Sequence, residues 1–215
     1  MADITIIGTG NMANGLGVRA KAAGRTMQVL DRDPEKARDF AANLGTGVEG
    51  GAIGDPPTGD IVILAVPYDA ATEIVTMYGD ALSGRTVVDI TNPIDFSTFD
   101  SLVVAPGTSA AETISERADD GADVVKAFNT TFATTLPSGE VAGEPLDVFI
   151  AGESEAAKEA VADFVTDAGM QPIDVGPLRR ARELESFQLL LMRLQADSEH
   201  ENFNWDTSLK ILARA

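Results

Sequence analysis

The sequence predicts an α/β protein built on a doubly wound, mostly parallel β-sheet. Two observations carry this prediction. Short apolar runs typical of buried strands alternate with longer segments of helical periodicity along most of the 215 residues. A glycine-rich turn also separates the first apolar run from the first helical segment. Such alternation is characteristic of parallel sheets, because the crossover between two parallel strands is usually a helix.

The predicted elements follow in chain order. Apolar runs predict strands over residues 4–7, 27–30, 61–66, 86–90, 123–126, 147–151 and 171–175. Helical patterns occupy residues 11–23, 34–43, 70–78, 109–118, 154–167 and about 178–196. Asp33 before Pro34, and Ser154 before an Ala-rich segment, are typical helix starts, whereas Gly24 is suited to a helix end. The Gly-Pro-rich stretch 45–59 is predicted as a loop with room for a short strand.

The chain is predicted to form one compact domain. Residues 1–126 would be a dinucleotide-binding core, and residues 127–215 would continue the same domain with further strands and a C-terminal helix. The apolar run 187–192 in this last helix has two interpretations. It packs against its own sheet, or it forms the contact of a homodimer.

Composition excludes several classes of function. The formal net charge of −18, from 34 acidic and 16 basic residues, argues against nucleic acid and anionic membranes as partners. The absence of cysteine excludes thiol chemistry, and the single histidine, His200, argues against a histidine-based metal site. No leader peptide and no apolar run of about 18 residues is recognisable, so we expect a cytoplasmic protein. The acidity fits either a salt-rich cytoplasm or ordinary acidic composition.

The first apolar run ends in a turn suited to a dinucleotide pyrophosphate, formed by Gly8, Thr9, Gly10, Asn11, Met12 and Ala13. Gly8 permits the tight turn, Gly10 lets backbone N–H groups approach the phosphates, and Ala13 allows close packing of helix on strand. The helix that follows offers its N-terminal N–H groups and the positive end of its dipole to the anion. The competing interpretation is a turn that only joins two elements.

Two adjacent residues after the second predicted strand bear on the identity of the nucleotide. Asp31 lies about 20 residues beyond the glycines, where a carboxylate accepts hydrogen bonds from the adenosine ribose hydroxyls, which favours NAD. Arg32 offers a guanidinium to the 2′-phosphate of NADP, as Lys36 and Arg38 would from nearby. These residues leave the choice between NAD and NADP open, and Asp31 could serve only as a helix cap.

Two further loops follow strands at the carboxyl edge of the predicted sheet, where doubly wound folds bind ligands. Ala65, Val66 and Pro67 come after one strand, and Asn92 and Pro93 come after the next. Prolines at strand ends hold the backbone so that carbonyls and small side chains face the nicotinamide ribose. The alternative is that these prolines only terminate the strands.

A third such loop combines an apolar ring with amide and hydroxyl groups and is predicted as the wall of a substrate pocket, with Phe128, Asn129 and Thr130. No carboxylate pair, Ser-His-Asp set or metal-binding cluster is recognisable in the sequence. Hydride transfer between two bound carriers needs alignment more than an acid and a base. Lys126, Tyr68 and Asp95 are the loop residues able to accept a proton, and structural roles are favoured for each. We therefore predict no catalytic residue and no metal ligand.

Five motifs, taken together, are more specific than the glycine turn alone: GTGNMA, ILAVP, DITNP, KAFNTTFATTL and GPLRRARELE. This set resembles the NADP oxidoreductase, coenzyme F420-dependent family, from Asp3 to about Leu194. The resemblance implies a compact Rossmann protein, often dimeric, that passes a hydride between NADP(H) and the deazaflavin coenzyme F420. Related modules occur in membrane metalloreductases.

The resemblance also implies roles for individual residues. The turn from Thr9 to Met12 would cover the pyrophosphate, residues 31 and 32 would meet the adenosine ribose, and Phe128 and Asn129 would border the hydride acceptor. The nicotinamide side would be lined by Val66, Pro67, Asn92 and Pro93.

Two departures from the family pattern leave alternatives open. Family members typically carry Ser-Arg where this chain has Asp31-Arg32, and residues 92–104 are closer to dinucleotide-binding proteins whose acceptor is undefined. The sequence therefore predicts an oxidoreductase that uses NADP or NAD with F420 or a flavin. The alternatives are a non-catalytic nucleotide-binding module that senses redox state or pairs with a partner, and an NAD(P)H-dependent reductase of a flavin, a metal chelate or a small carbonyl compound.

Overall fold

The computed structural model describes residues 2–118, 120–197, 199 and 203–212, so His200 lies outside the described residues. The strands are β1 Ile4–Ile7, β2 Met27–Asp31, β3 Val48–Ala52, β4 Ile61–Leu64, β5 Thr86–Asp89, β6 Asp123–Lys126, β7 Glu140–Val141, β8 Glu144–Pro145, β9 Asp147–Gly152 and β10 Gln171–Gly176. The α-helices are α1 Asn11–Ala22, α2 Pro34–Leu44, α3 Tyr68–Tyr78, α4 Ala110–Arg117, α5 Glu155–Asp167 and α6 Ala181–Ala196. Single 3₁₀ turns, Gly79–Leu82 and Leu178–Arg180, follow α3 and precede α6.

Eight of the strands form one sheet in the order β10-β9-β6-β5-β4-β1-β2-β3. The six strands from β6 to β3 in this order are mutually parallel. This is the strand order of a doubly wound Rossmann sheet, and it confirms the predicted fold class. The order reverses between β1 and β4, and the switch point opens a crevice at the carboxyl edge of the sheet.

Alternate residues of the strands point into two separate hydrophobic clusters on opposite faces of the sheet. Ile4 and Ile6 pack with residues of α1 and α5, whereas Ile7 packs with residues of α3 and α4. In the part of the chain that the structure describes, no helix has the length and apolar character needed to cross a bilayer.

The sheet differs from the prediction at its two edges. β9 pairs antiparallel with β6, and β10 pairs parallel with β9, so the last two strands run against the other six. All six residues of β9 are buried, and such an apolar run has the same pattern in either direction. At the opposite edge the predicted loop 45–59 contains β3, whose glycines gave little strand signal. A Cβ on Gly50 would lie only 2.5 Å from the α2 backbone, so glycine permits this close packing.

Two smaller differences concern local structure. The β7–β8 hairpin was not predicted, because two-residue strands carry no periodicity. Helix α3 begins at Tyr68 rather than residue 70, and Pro67 is its N-cap residue.

Candidate functional site

The crevice at the switch point consists of two adjoining compartments. One, of about 520 Å³, is lined by Asp31, Arg32, Lys36 and Glu73, and we name it the charged compartment. The other, of about 730 Å³, has no charged side chain among its described lining residues, and we name it the uncharged compartment. The two share Gly10, Ala65, Val66 and Pro67, which therefore stand at the junction.

The uncharged compartment is built by four strand ends and by the C-terminal part of the chain. Loops after β1, β4, β5 and β6 supply Asn11, Met12, Tyr68, Ile90, Thr91, Asn92, Asn129 and residues 131–134. Helix α6 and the segment after it supply Gln188, Met192, Asn204 and Trp205, and Phe96 completes the wall. The lining is mostly apolar with a few polar groups, as in sites for small aromatic ligands.

The N-terminus of α1 has the features of a phosphate site. Side chains of Asp33, Ser109 and Ser154 cap helices α2, α4 and α5, whereas no side chain caps α1 after Gly10. The N-terminal N–H groups of α1 are therefore not engaged by a cap, and the positive end of its dipole faces the junction of the compartments.

Glycine stands at positions 8 and 10 of the first turn for different structural reasons. Gly8 has φ +110°, and a Cβ there would lie 2.3 Å from the carbonyl oxygen of Ala65, so the fold itself requires glycine. A Cβ on Gly10 would meet no atom within 4 Å. Because Gly10 lines both compartments, that open space belongs to the crevice. The residues therefore fit a dinucleotide whose pyrophosphate approaches the backbone at Gly10.

Asp31 ends β2 inside the charged compartment and is already held on both oxygens. Its Oδ2 accepts a hydrogen bond from Thr9 Oγ1 at 2.7 Å, and its Oδ1 accepts one from the Asp33 N–H at 3.1 Å. Burial raises the pKa of Asp31, but these hydrogen bonds and the charges of Lys36 and Arg32 outweigh it and lower the pKa below its ordinary value. Asp31 is therefore an ionised acceptor at neutral pH, with two cations beside it.

A pair of asparagines joins the loops after β5 and β6. Asn92 Nδ2 donates to the carbonyl oxygen of Asn129 at 2.9 Å, and Asn129 Nδ2 donates to Asn92 Oδ1 at 3.0 Å. Both residues line the uncharged compartment, so this clasp sets the shape of its floor.

A fully buried ion cluster lies beneath this floor. Lys126 Nζ is 2.8 Å from Asp89 Oδ2, 2.8 Å from Glu185 Oε1 and 2.6 Å from the carbonyl oxygen of Thr91. Glu185 also accepts hydrogen bonds from the N–H groups of Ala110 and its neighbour at the start of α4. The cluster therefore ties α6 and α4 to the ends of β5 and β6.

The titration of this cluster reflects two carboxylates that share one ammonium group. Burial disfavours the charged form of Lys126, but Asp89 and Glu185 outweigh burial and raise its pKa. Burial also raises the pKa of Glu185, with Lys126 opposing and Asp89 reinforcing the effect. Because the cluster has no exposed atom to present to a ligand, its role is structural.

The structure places several predicted residues away from the compartments. Phe128 is fully buried, with its ring 5.9 Å from that of Phe164, and neither it nor the buried Thr130 contributes to the lining. Phe128 has φ +59°, and this turn carries its ring into the core while Asn129 and residues 131–134 line the compartment. Pro93 is also absent from the lining, and its carbonyl oxygen accepts a hydrogen bond from the Val103 N–H. These three residues therefore lie outside the described lining, and their assigned roles stay predictions.

The three residues considered as proton acceptors lie in three different surroundings. Lys126 belongs to the buried cluster, and the exposed Asp95 carboxylate accepts hydrogen bonds from Ser97 and Thr98. Tyr68 lines the uncharged compartment. Among the residues that the structure describes, no group of three or more His, Cys, Asp or Glu is placed to hold a metal ion.

Sequence reasoning missed the contribution of the C-terminal part of the chain. Gln188 and Met192, four positions apart, share one face of α6 and line the uncharged compartment. Phe187 and Leu190 of the same apolar run are exposed, so packing on the sheet does not account for the whole run. A polar glutamine, Gln188, within the apolar run 187–192 is the sequence feature that could have drawn attention to this face.

Comparison with known proteins supports the resemblance drawn from the sequence motifs. A sequence model described as NADP oxidoreductase, coenzyme F420-dependent, matches residues 3–93. An F420-dependent NADP reductase of Methanothermobacter thermautotrophicus is 28% identical over 210 residues, which cover 91% of this chain and 89% of the reductase. The rat (Rattus norvegicus) metalloreductase STEAP3 is 27% identical over 190 residues, and the matched region covers 88% of this chain but only 37% of STEAP3.

A solved structure extends the similarity beyond the matched N-terminal region. The crystal structure of the hypothetical protein SMa0349 from Sinorhizobium meliloti superposes with a TM-score of 0.74 at 34% identity, covering 83% of this chain and 86% of that protein. With the two compartments at the switch point and the glycine turn at their junction, these similarities confirm the resemblance of the chain to the NADP oxidoreductase, coenzyme F420-dependent family.

Proposed function

We propose that this NAD(P)-dependent oxidoreductase transfers a hydride between NAD(P)H and a second planar redox carrier, either the deazaflavin F420 or a flavin. The observation that supports this proposal is the pairing of two unlike compartments at one junction. The charged compartment suits an adenosine and its phosphates, and the larger, uncharged one suits two flat rings in contact.

The nucleotide would lie across the switch point. Gly10 and the N-terminal N–H groups of α1 would bind the pyrophosphate, and Asp31 and Arg32 would contact the adenosine ribose. Arg32 and Lys36 favour the 2′-phosphate of NADP, whereas the ionised Asp31 favours the free hydroxyls of NAD. We propose that both nucleotides bind, with NADP the expected cofactor from the family resemblance.

The chain's contribution to the reaction is alignment and exclusion of water. The bound dinucleotide supplies the hydride chemistry. The Asn92–Asn129 clasp holds two loops against the nicotinamide side, and the apolar walls around Met12 and Phe132 exclude solvent from the space between the rings. Reduction of a flavin-type ring takes up one hydride and one proton, and the proton would come from solvent at the open side.

A direct assay tests this function. Purified protein is titrated with NADPH and NADH, and each complex is then mixed with F420, a flavin and a ferric chelate while nucleotide absorbance is followed. Oxidation of a nucleotide by F420 or a flavin supports the proposal. Oxidation by the chelate alone would indicate a metal reductase. Tight nucleotide binding without turnover by any acceptor would indicate a redox-sensing or partner-binding module instead.

A further inference from the structure

We propose that Gln188 determines specificity for the second carrier by binding the imide edge of its ring. The uncharged compartment then recognises this neutral ring and makes no specific contact with an anionic tail. The inference rests on the proposed function and deepens it. The substrate class is a planar heterocycle that carries an N–H between two carbonyl groups, as flavins and deazaflavins do.

Three buried polar atoms on the compartment lining lack hydrogen-bond partners within the described residues. They are Thr91 Oγ1, Asn129 Oδ1 and Gln188 Oε1. Buried polar atoms are rarely left unpaired in folded proteins, and a cluster of them on one cavity points to a ligand that supplies the missing partners. Two of the three are amide oxygens, which only accept, so the ligand must present N–H donors.

Gln188 belongs to a different part of the lining from the other two. Thr91 and Asn129 follow β5 and β6, on the floor that we assign to the nicotinamide side. Gln188 lies on α6, in the wall that also contains Met192 and Trp205. The unpartnered oxygen of Gln188 is therefore the one available to the second ring, and it fits the imide N–H of a flavin-type ring.

The position of Gln188 is fixed from both sides. Glu185, one turn earlier on α6, is held in the buried cluster by Lys126. Gln195, two turns later, accepts a hydrogen bond from the Trp205 N–H at 2.8 Å. A side chain held on so rigid a helix can discriminate between ligands by the placement of one atom.

The wall that contains Gln188 is partly aromatic. Trp205 packs edge-on against Phe132, with ring centroids 5.7 Å apart and an interplanar angle of 90°. The Thr134 hydroxyl donates to the Trp205 carbonyl oxygen, so the C-terminal segment is pinned to the loop after β6. These contacts form an apolar slot in which Gln188 supplies a specific polar contact.

The distribution of charged residues indicates that the compartment does not bind an anionic tail of the carrier. No Lys or Arg stands among the described residues that line the uncharged compartment. The chain as a whole has a net charge of −18, which repels a phosphate or carboxylate tail. Binding energy must therefore come from the ring.

The test measures binding of paired probes to wild type and Gln188→Met, which keeps side-chain volume but removes the acceptor. The probes are riboflavin and FMN, which share one ring, and deazaflavin riboside and F420, which share another. Binding is followed by quenching of ring fluorescence, and NADPH binding is measured separately. Leu189→Met is the matched control, because Leu189 neighbours Gln188 but does not line the compartment.

We expect Gln188→Met to weaken binding of the tail-free ring about tenfold, as loss of one hydrogen bond does, with NADPH affinity within about twofold. Wild type should bind each tail-free probe at least as tightly as its anionic counterpart, with little dependence on salt. Equal affinity of Gln188→Met and wild type for the rings would overturn the role of Gln188. A salt-sensitive preference for FMN and F420 would overturn neutral recognition.

These outcomes separate the inference from the function on which it rests. Turnover of NADPH with F420 or a flavin, combined with an unaffected Gln188→Met, leaves the function standing and rejects the inference. Failure of wild type to bind any of the four probes rejects both.

Discussion

The two compartments of the crevice are built on different principles. The charged compartment is lined by residues at the ends of β1 to β4 and by residues of α2 and α3, all within the first 77 residues, and Thr9 and Asp31 already bond each other there at 2.7 Å. The uncharged compartment takes part of its wall from Gln188 and Trp205, more than 50 residues beyond the last strand end that it meets. A backbone motif thus builds the proposed nucleotide site, whereas long-range packing builds the proposed site of the second ring.

This difference teaches where variation can occur within such a fold. The turn from Gly8 to Met12 depends on backbone geometry, and few residue types can replace glycine there. The wall formed by α6 depends on which face of a helix meets the crevice, and we expect a single exchange on that face to alter the preferred ligand. We therefore expect nucleotide binding and acceptor choice to respond to different substitutions.

The largest expected effect comes from breaking the buried ion cluster that ties α6 and α4 to the ends of β5 and β6. Lys126→Met leaves Asp89 and Glu185 buried without a cation, and we expect a loss of about 3–5 kcal/mol in the free energy of unfolding. Urea denaturation measures it. The control is Arg182→Met, because Arg182 also links α6 to α4 through Glu112 but lies at the surface, where loss of a pair costs about 1 kcal/mol or less.

The same variant has a predicted pH dependence. Without Lys126 the folded-state pKa of Glu185 rises further above its unfolded value, since burial and the Asp89 charge already raise it. Protonation of Glu185 then relieves the cost of burial below that folded pKa, and the cost returns as the pH rises through it. The deficit of Lys126→Met relative to wild type should therefore be smaller at pH 5 than at pH 8. An equal deficit at both would contradict the assignment.

A smaller effect is expected from the glycine turn, and it should be confined to the nucleotide. Gly10→Val places a side chain in open crevice space at φ −80°, so the melting temperature should change little. NADPH affinity should fall at least about 100-fold, or about 2.7 kcal/mol, because the valine occupies the place of the pyrophosphate. Fluorescence titration with NADPH measures this. Unchanged affinity would refute the placement of the pyrophosphate.

Gly8→Ala sharpens the contrast between the two glycines. Its Cβ would collide with the Ala65 carbonyl oxygen at 2.3 Å, so this variant should lose stability rather than affinity alone. If both variants only lose stability, Gly10 is a structural glycine like Gly8.

The smallest expected effect concerns the choice between NAD and NADP. Asp31→Ser removes a charge beside the 2′-position of the adenosine ribose, and we expect the ratio of NADP to NAD affinity to rise about tenfold, or about 1.4 kcal/mol. Asp33→Ser is the matched control, because it removes the same charge two residues away while serine can still cap α2. Equal ratios in the two variants would mean that Asp31 acts only in local hydrogen bonding.

The fold could be predicted where local patterns are unambiguous. The seven predicted strands and six predicted helices all correspond to elements of the structure, with shifts of a few residues at their ends. β3 is the short strand for which the loop 45–59 had room, but its bounds could not be predicted because Gly50 and Gly51 lack side chains, although close packing against α2 and β2 is the reason for those glycines. The reversal of β9 could not be predicted, since strand direction is set by the path of the chain after Lys126.

The sequence by itself determined the glycine turn at which the nucleotide is proposed to bind, because that turn depends on residues that are close together in the chain. The order strand, Gly8, Gly10 and helix specifies an uncapped helix end at a strand end whatever lies around it. Only the tertiary structure decided the lining of the uncharged compartment. Helical periodicity shows that Gln188 and Met192 share a face of α6, but not that this face meets the crevice, nor that Phe128 turns into the core. Those outcomes depend on how distant elements pack, and local spacing carries no information about that.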